Sequence, residues 1–136
     1  MPDTREDAEP IRVLVVDDSP VVRRALVDFL SDEDDLTVVG CCEDGSEVVL
    51  AATRLQPDVV FMDLSMPVMD GLAATEALRD VQEEARVIVL TADGAARGRA
   101  EAAGARALVP KGTRTEDMLR CLRTVAQGGD GCPYCL

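Results

Sequence analysis

Short apolar runs alternate along this chain with longer stretches in which apolar residues recur every three or four positions. Residues 11–16, IRVLVV, are nearly all apolar and mostly β-branched, which predicts a strand buried on both faces. The following SPVVRRALVDFL places Val21, Val22, Ala25, Leu26, Phe29 and Leu30 at helical spacing, with Ser19 as N-cap and Pro20 at the first helical position. LTVVG at 36–40 reads as a second strand, and residues 44–56 repeat the helical pattern through Val48, Val49, Ala52 and Leu55. DVVFM at 58–62 is a third strand that runs into Asp63. A loop containing Pro67 and Gly71 leads into a helix over 72–79. RVIVLTA at 86–92 is the fourth strand. Residues 93–104 predict a weak helix, because alanines alone form its apolar face and Gly94 and Gly98 interrupt it. ARALV at 105–109 is the fifth strand. The last helix, within 113–127, presents Met118, Leu119, Leu122, Val125 and Ala126 and is stopped by Gly128 and Gly129.

Parallel strands need crossovers of about this length, so five strand–helix repeats predict an α/β fold: a doubly wound, five-stranded parallel sheet in a three-layer sandwich. The 136 residues suffice for one domain with a real core. It is expected over 10–128, between an acidic N-terminal tail (1–9) and a Gly/Cys C-terminal tail (129–136). No apolar run is long enough to span a bilayer, and MPDTREDAEP lacks the apolar stretch of a signal peptide, so the cytoplasm is the expected location.

Charge narrows the function. A net charge of −12 argues against direct nucleic-acid binding and suits basic partners or bound cations. Histidine is absent, which removes His-assisted nucleophiles, His metal ligands and a phosphohistidine donor within the chain. Lys111 is the single lysine, so its position is one where arginine will not serve.

In open α/β sheets, ligands bind beyond the carboxyl ends of the strands. The polar residues at those ends are Asp17 and Asp18, Asp63, Thr91 and Lys111. Carboxylates suit a hard cation such as Mg²⁺, an aspartate can attack phosphorus, and a hydroxyl and an ammonium can share the charge of phosphoryl oxygens. Each residue also has a simpler reading. Asp17 and Asp18 could cap the first helix, Asp63 could be a turn residue, and Lys111 could be a solvated surface lysine. Asp70 and Gly71 are assigned to the turn and the helix start, and the acid runs REDAE and SDEDD to solvated surface.

Four motifs in order at strand ends, VVDDS, FMDLSMPVMDG, VIVLTA and VPKG, resemble the receiver domains of two-component response regulators over roughly residues 10–128. The resemblance implies a flavodoxin-like (βα)5 fold. It implies that Asp63 is the phosphoacceptor, and that Asp17, Asp18, Asp63 and the backbone carbonyl of Ser65 bind Mg²⁺, with Mn²⁺ as a substitute. Thr91 and Lys111 then contact the phosphoryl group, and Ala92 matches the small residue that keeps the site accessible. The implied partners are a sensor histidine kinase or phosphotransfer protein, and a downstream protein or second copy engaging the face of helix 4, strand 5 and helix 5. Phosphotransfer and slow autodephosphorylation are self-catalysed, so the chain reads as a phosphoacceptor signalling domain, apparently without its own output domain, rather than an enzyme.

Three features depart from the family pattern. Leu108 stands where the family usually places Tyr or Phe as a rotamer switch, so the Thr–aromatic coupling cannot operate in its familiar form. Gly112 rather than Pro follows Lys111, with Pro110 before it. The segment from Thr91 to Lys111 is short and its helix poor. Two alternatives are a constitutive interaction module with a decayed switch and a fragment of a longer helix-turn-helix regulator. A phosphatase with a nucleophilic Asp ranks below both, because Ser65 replaces its usual second acid.

CPYC at 132–135 spells the glutaredoxin active-site motif but follows a helix and GGDG, so it is expected to be an exposed tail, with oxidation or metal binding only incidental and a dedicated redox or metal role as the alternative. Cys41, Cys42 and Cys121 are expected to be small buried hydrophobes.

Overall fold

The computed structural model describes residues 9–64, 70–82, 84–129 and 131–136. The expectations placed on Ser65 and Pro67 lie outside the described residues. The strands are β1 (Ile11–Val16), β2 (Leu36–Cys42), β3 (Val59–Asp63), β4 (Arg86–Thr91) and β5 (Ala107–Pro110). The helices are α1 (Pro20–Ser31), α2 (Val48–Leu55), α3 (Gly71–Val81), α4 (Arg97–Ala103) and α5 (Thr115–Ala126). All strands pair in parallel, in the order β2-β1-β3-β4-β5. This is the doubly wound sandwich that the pattern predicted and the flavodoxin-like fold that the resemblance implied.

Strand alternation divides the core in two. Val13, Val15, Phe61, Ile88 and Val109 face α1 and α5, meeting Leu26, Leu30, Cys121 and Leu122. Leu14, Val16, Val60, Met62, Val87 and Val89 face the other layer, meeting Val48, Ala52, Ala74, Leu78 and Ala100. Burial of the strands on both faces explains why they read as continuous apolar runs. The alanine face is real: Ala100 and Ala103 of α4, and Ala96 just before it, are buried, and such small side chains let the helix lie close to the sheet.

Several boundaries move for identifiable reasons. The second helical stretch opens with a 3₁₀ turn at Gly45–Glu47, because Asp44 and Glu47 form a reciprocal capping box. A 3₁₀ turn at Gly94–Ala96 likewise precedes α4, with the Asp93 carboxylate accepting from Ala95 N–H. β5 begins at Ala107 rather than Ala105, because Ala105 N–H still donates to Ala100 and completes the helix end. Ser19 caps α1 as expected, accepting from Val22 N–H.

Two expectations about cysteines are corrected. Cys41 is exposed, whereas Cys42 and Cys121 are buried. Residues 131–136 do not form an exposed tail but pack along the free edge of β5. There Cys135 forms an antiparallel bridge with Ala107, Leu108 N–H donates to Tyr134 O at 3.0 Å, and Leu136 N–H donates to Arg106 O at 2.9 Å. A sheet edge presents unpaired backbone groups that such a segment satisfies. Composition carried no trace of this pairing, because it depends on where the α5 exit points.

Candidate functional site

β1 and β3 are neighbours in register, with Val16 opposite Met62, so Asp17 and Asp63 emerge side by side at the carboxyl edge. The loop turns there, and one oxygen each of Asp17, Asp18 and Asp63 lies within 4.8 Å of the others. At that separation a carboxylate pair repels by about 3–4 kcal/mol at an effective dielectric near 20. Asp17 and Asp63 are only 1% and 3% exposed, so water screens this repulsion weakly, while Asp18 reaches solvent.

Local structure holds Asp17 firmly. Its Oδ1 accepts from Ser19 N–H at 2.9 Å, and its carbonyl accepts from the Arg23 guanidinium at 2.7 Å. Its Oδ2 is buried and accepts no hydrogen bond. Burial, with the Asp63 and Asp18 charges, pushes the Asp17 carboxyl above its ordinary value, against the Ser19 N–H and the Lys111 ammonium.

Lys111 comes from the far side of the site. Its Nζ lies 3.2 Å from Asp63 Oδ1. It stands on a turn whose Thr113 N–H donates to Pro110 O at 3.2 Å, with Gly112 at φ +95°. That left-handed position is one glycine takes without strain, so the Gly after the lysine is a requirement of this turn. Lys111 N–H donates to Thr91 O at 2.9 Å, which fixes the turn to the end of β4. The Thr91 side chain is buried and accepts from Asp93 N–H at 3.0 Å. Thus Asp17, Asp18, Asp63, Thr91 and Lys111 all lie at one sheet edge, with Ala92 exposed beside them. Ser65 lies outside the described residues.

A hard cation fits this donor set. Among the described residues three carboxylates crowd beside one ammonium, and a buried oxygen of Asp17 lacks a hydrogen-bond partner.

Two contributors were not legible in sequence. Arg23 reaches back six positions to the Asp17 carbonyl, a contact that only the α1 docking angle creates. Gly71, at the start of α3, lies against the backbone carrying Asp63: a Cβ there would sit 2.2 Å from Asp63 O. The Gly71 N–H donates to Leu64 O, and Asp70 caps α3 through Ala73 N–H, as its assignment to the helix start anticipated.

The geometry is that of a doubly wound α/β domain with an acidic pocket and a lysine at the carboxyl edge of its sheet. Residues 13–123 match the response regulator receiver domain family. The chain is 38% identical over 120 residues to the response regulator GacA of Pseudomonas aeruginosa, covering 87% of this chain and 56% of that protein. It is 46% identical over 87 residues to a protein-glutamate methylesterase/protein-glutamine glutaminase of Caldanaerobacter subterraneus, covering 62% of this chain and 24% of that protein. The response regulator domain of Thermotoga maritima CheB superposes with a TM-score of 0.81 at 31% identity, covering 88% of this chain and 98% of that one. The chain belongs to the receiver-domain family of two-component response regulators, a family of signal-transduction proteins. It spans only about a quarter to a half of the length of these two curated relatives.

Proposed function

We propose that Asp63 accepts a phosphoryl group from the phosphohistidine of a sensor histidine kinase or phosphotransfer protein, and that phosphorylation switches protein contacts on the face formed by α4, β5 and α5. The observation that carries this reading is the contact of Lys111 Nζ with Asp63 inside the three-carboxylate cluster.

An Asp63 carboxylate oxygen forms the new bond to phosphorus as the bond to the donor imidazole nitrogen breaks. The donor must come from a partner, because this chain contains no histidine. Lys111 neutralises charge on the phosphoryl oxygens, and the Thr91 hydroxyl offers them a hydrogen bond. Asp17, Asp18 and Asp63, with the Ser65 carbonyl, would hold Mg²⁺ or Mn²⁺. When bound, that ion supplies the positive charge that lets three carboxylates and a phosphoryl group share one site. Slow hydrolysis of the aspartyl phosphate returns the domain to its resting state.

The donor's approach is supported by Val21 and Val22, which are exposed at the start of α1. Beside them lies a mostly apolar cleft of about 260 Å³, lined by Asp17, Val22, Leu26, Lys111 and Met118 among others. Among the described residues no helix is long and apolar enough to cross a membrane.

The test is incubation with Mg²⁺ and acetyl phosphate, followed by intact-mass measurement. Wild type should gain one phosphoryl group, and Asp63→Asn should not. A wild-type protein that never gains it, with Mg²⁺ binding demonstrated, overturns the assignment. One observation favours a second reading, a constitutive interaction module: Leu108 is buried and carries no side-chain group able to hydrogen-bond Thr91. That reading predicts phosphorylation without any change in amide exchange along α4 and β5.

A further inference from the structure

Residues 132–135 make a tight turn: Cys135 N–H donates to Cys132 O at 3.2 Å, with Pro133 at the second position. This turn brings the two thiol sulfurs to 2.9 Å. We infer that Cys132 and Cys135 form a dithiol–disulfide site, whose oxidation clamps residues 131–136 onto the edge of β5.

The clamp has a built seat. The turn's Tyr134 carbonyl and Leu136 N–H take up the outward backbone groups of Leu108 and Arg106. The Arg97 guanidinium, on α4, donates to Cys135 O at 3.2 Å. Cys132 is buried in the core layer shared by α1 and α5, whereas Cys135 is partly exposed. The strap therefore ties α4 to β5 beside α5.

The chemistry needs an external disulfide such as glutathione disulfide. The accessible Cys135 thiolate attacks one of its sulfurs, forming a mixed disulfide and releasing one thiolate. The Cys132 thiolate then attacks the Cys135 sulfur, forming the intramolecular bond and releasing the second. The two protons from the cysteines end on the two departing thiols, and the external disulfide is reduced as the pair is oxidised. Burial opposes ionisation of Cys132, but hydrogen bonds from the Cys135 and Cys121 thiols and from backbone N–H groups outweigh it and hold its thiol below the usual value. Cys121 is pushed the other way, chiefly by burial, so it stays a thiol. Closing a four-residue ring removes freedom from the undocked segment, so its opening from β5 should become rarer by roughly tenfold.

The disulfide itself is independent of Asp63. Its effect on signalling rests on the proposed output face, because the strap covers the β5 edge within it.

The whole chain should be equilibrated with glutathione disulfide, unfolded, alkylated and digested with trypsin. Cleavage after Arg120 and Arg123 separates Cys121 from a single peptide holding Cys132 and Cys135. That peptide should escape alkylation and weigh two hydrogens less, and the Leu108 and Leu136 amides should exchange roughly tenfold more slowly than in reduced protein. Cys121→Ser and Asp63→Asn should behave alike, and Cys132→Ser should stop at the mixed disulfide. Alkylation of all five cysteines, a link through Cys121, or unchanged exchange at Leu108 would each overturn the inference.

Discussion

Replacing Gly71 by alanine tests how the first turn of α3 positions Asp63. An ideal Cβ at this position would lie 2.2 Å from Asp63 O, 2.9 Å from Leu64 Cα and 3.0 Å from Asp63 C. Ordinary contacts begin above 3 Å, so the gap must widen by roughly an ångström. All three atoms are backbone, so no side chain can swing aside. Retreat of α3 would strain the Gly71 N–H bond to Leu64 O, at 3.1 Å, and loosen Leu78 and Ala74 against the sheet. Overpacking of this kind costs about 1–3 kcal/mol, while the gain in helix propensity at a first-turn position is below about 1 kcal/mol. The net expectation is a loss of about 1–2 kcal/mol in urea unfolding followed by circular dichroism. A second signature should accompany it: displacement of the Asp63 carbonyl region should weaken Mg²⁺ binding measured by calorimetry. If Gly71→Ala unfolds within about 0.3 kcal/mol of wild type and binds Mg²⁺ equally well, the proposed contact does not constrain Asp63.

Three further predictions concern charge. Asp17→Asn removes one of three crowded carboxylates while keeping the oxygen that accepts from Ser19, so metal-free stability should rise by about 1 kcal/mol as Mg²⁺ binding disappears. Loss of stability without metal would refute the repulsion argument. Mg²⁺ at a hundred times its dissociation constant should stabilise wild type by about 2.7 kcal/mol, and a chelator should reverse this in thermal melts. Asp35 accepts two hydrogen bonds of 2.8 Å from Arg123, which also pairs with Glu33, and these bonds hold the Asp35 carboxyl below its ordinary value. A depressed folded value means the contribution is present above the unfolded carboxylate pKa near 4 and is lost as pH falls through the folded one. Because Asp35 is half exposed, Asp35→Asn should cost only about 0.5–1 kcal/mol at pH 7, and that difference should vanish in acid; a pH-independent difference would contradict it.

The sequence by itself determined the order of the five strands and five α-helices, because burial on both faces makes strands continuous and burial on one face makes helices periodic. It also placed Asp17, Asp18, Asp63, Thr91 and Lys111 at strand ends, since parallel topology sends all five ends to one edge. Gly112 could be noted after Lys111 but not explained, because only its positive φ reveals the turn that presents the lysine. Tertiary structure alone decided what depends on distances between remote elements. The angle of α1 brings Arg23 to the Asp17 carbonyl, and the closeness of α3 leaves room only for glycine at position 71. The exit of α5 lays residues 131–136 along β5, turning an apparent loose end into an edge pairing at Leu108. None of these contacts has a sequence period, because each depends on how separate elements dock against one another rather than on spacing within one element.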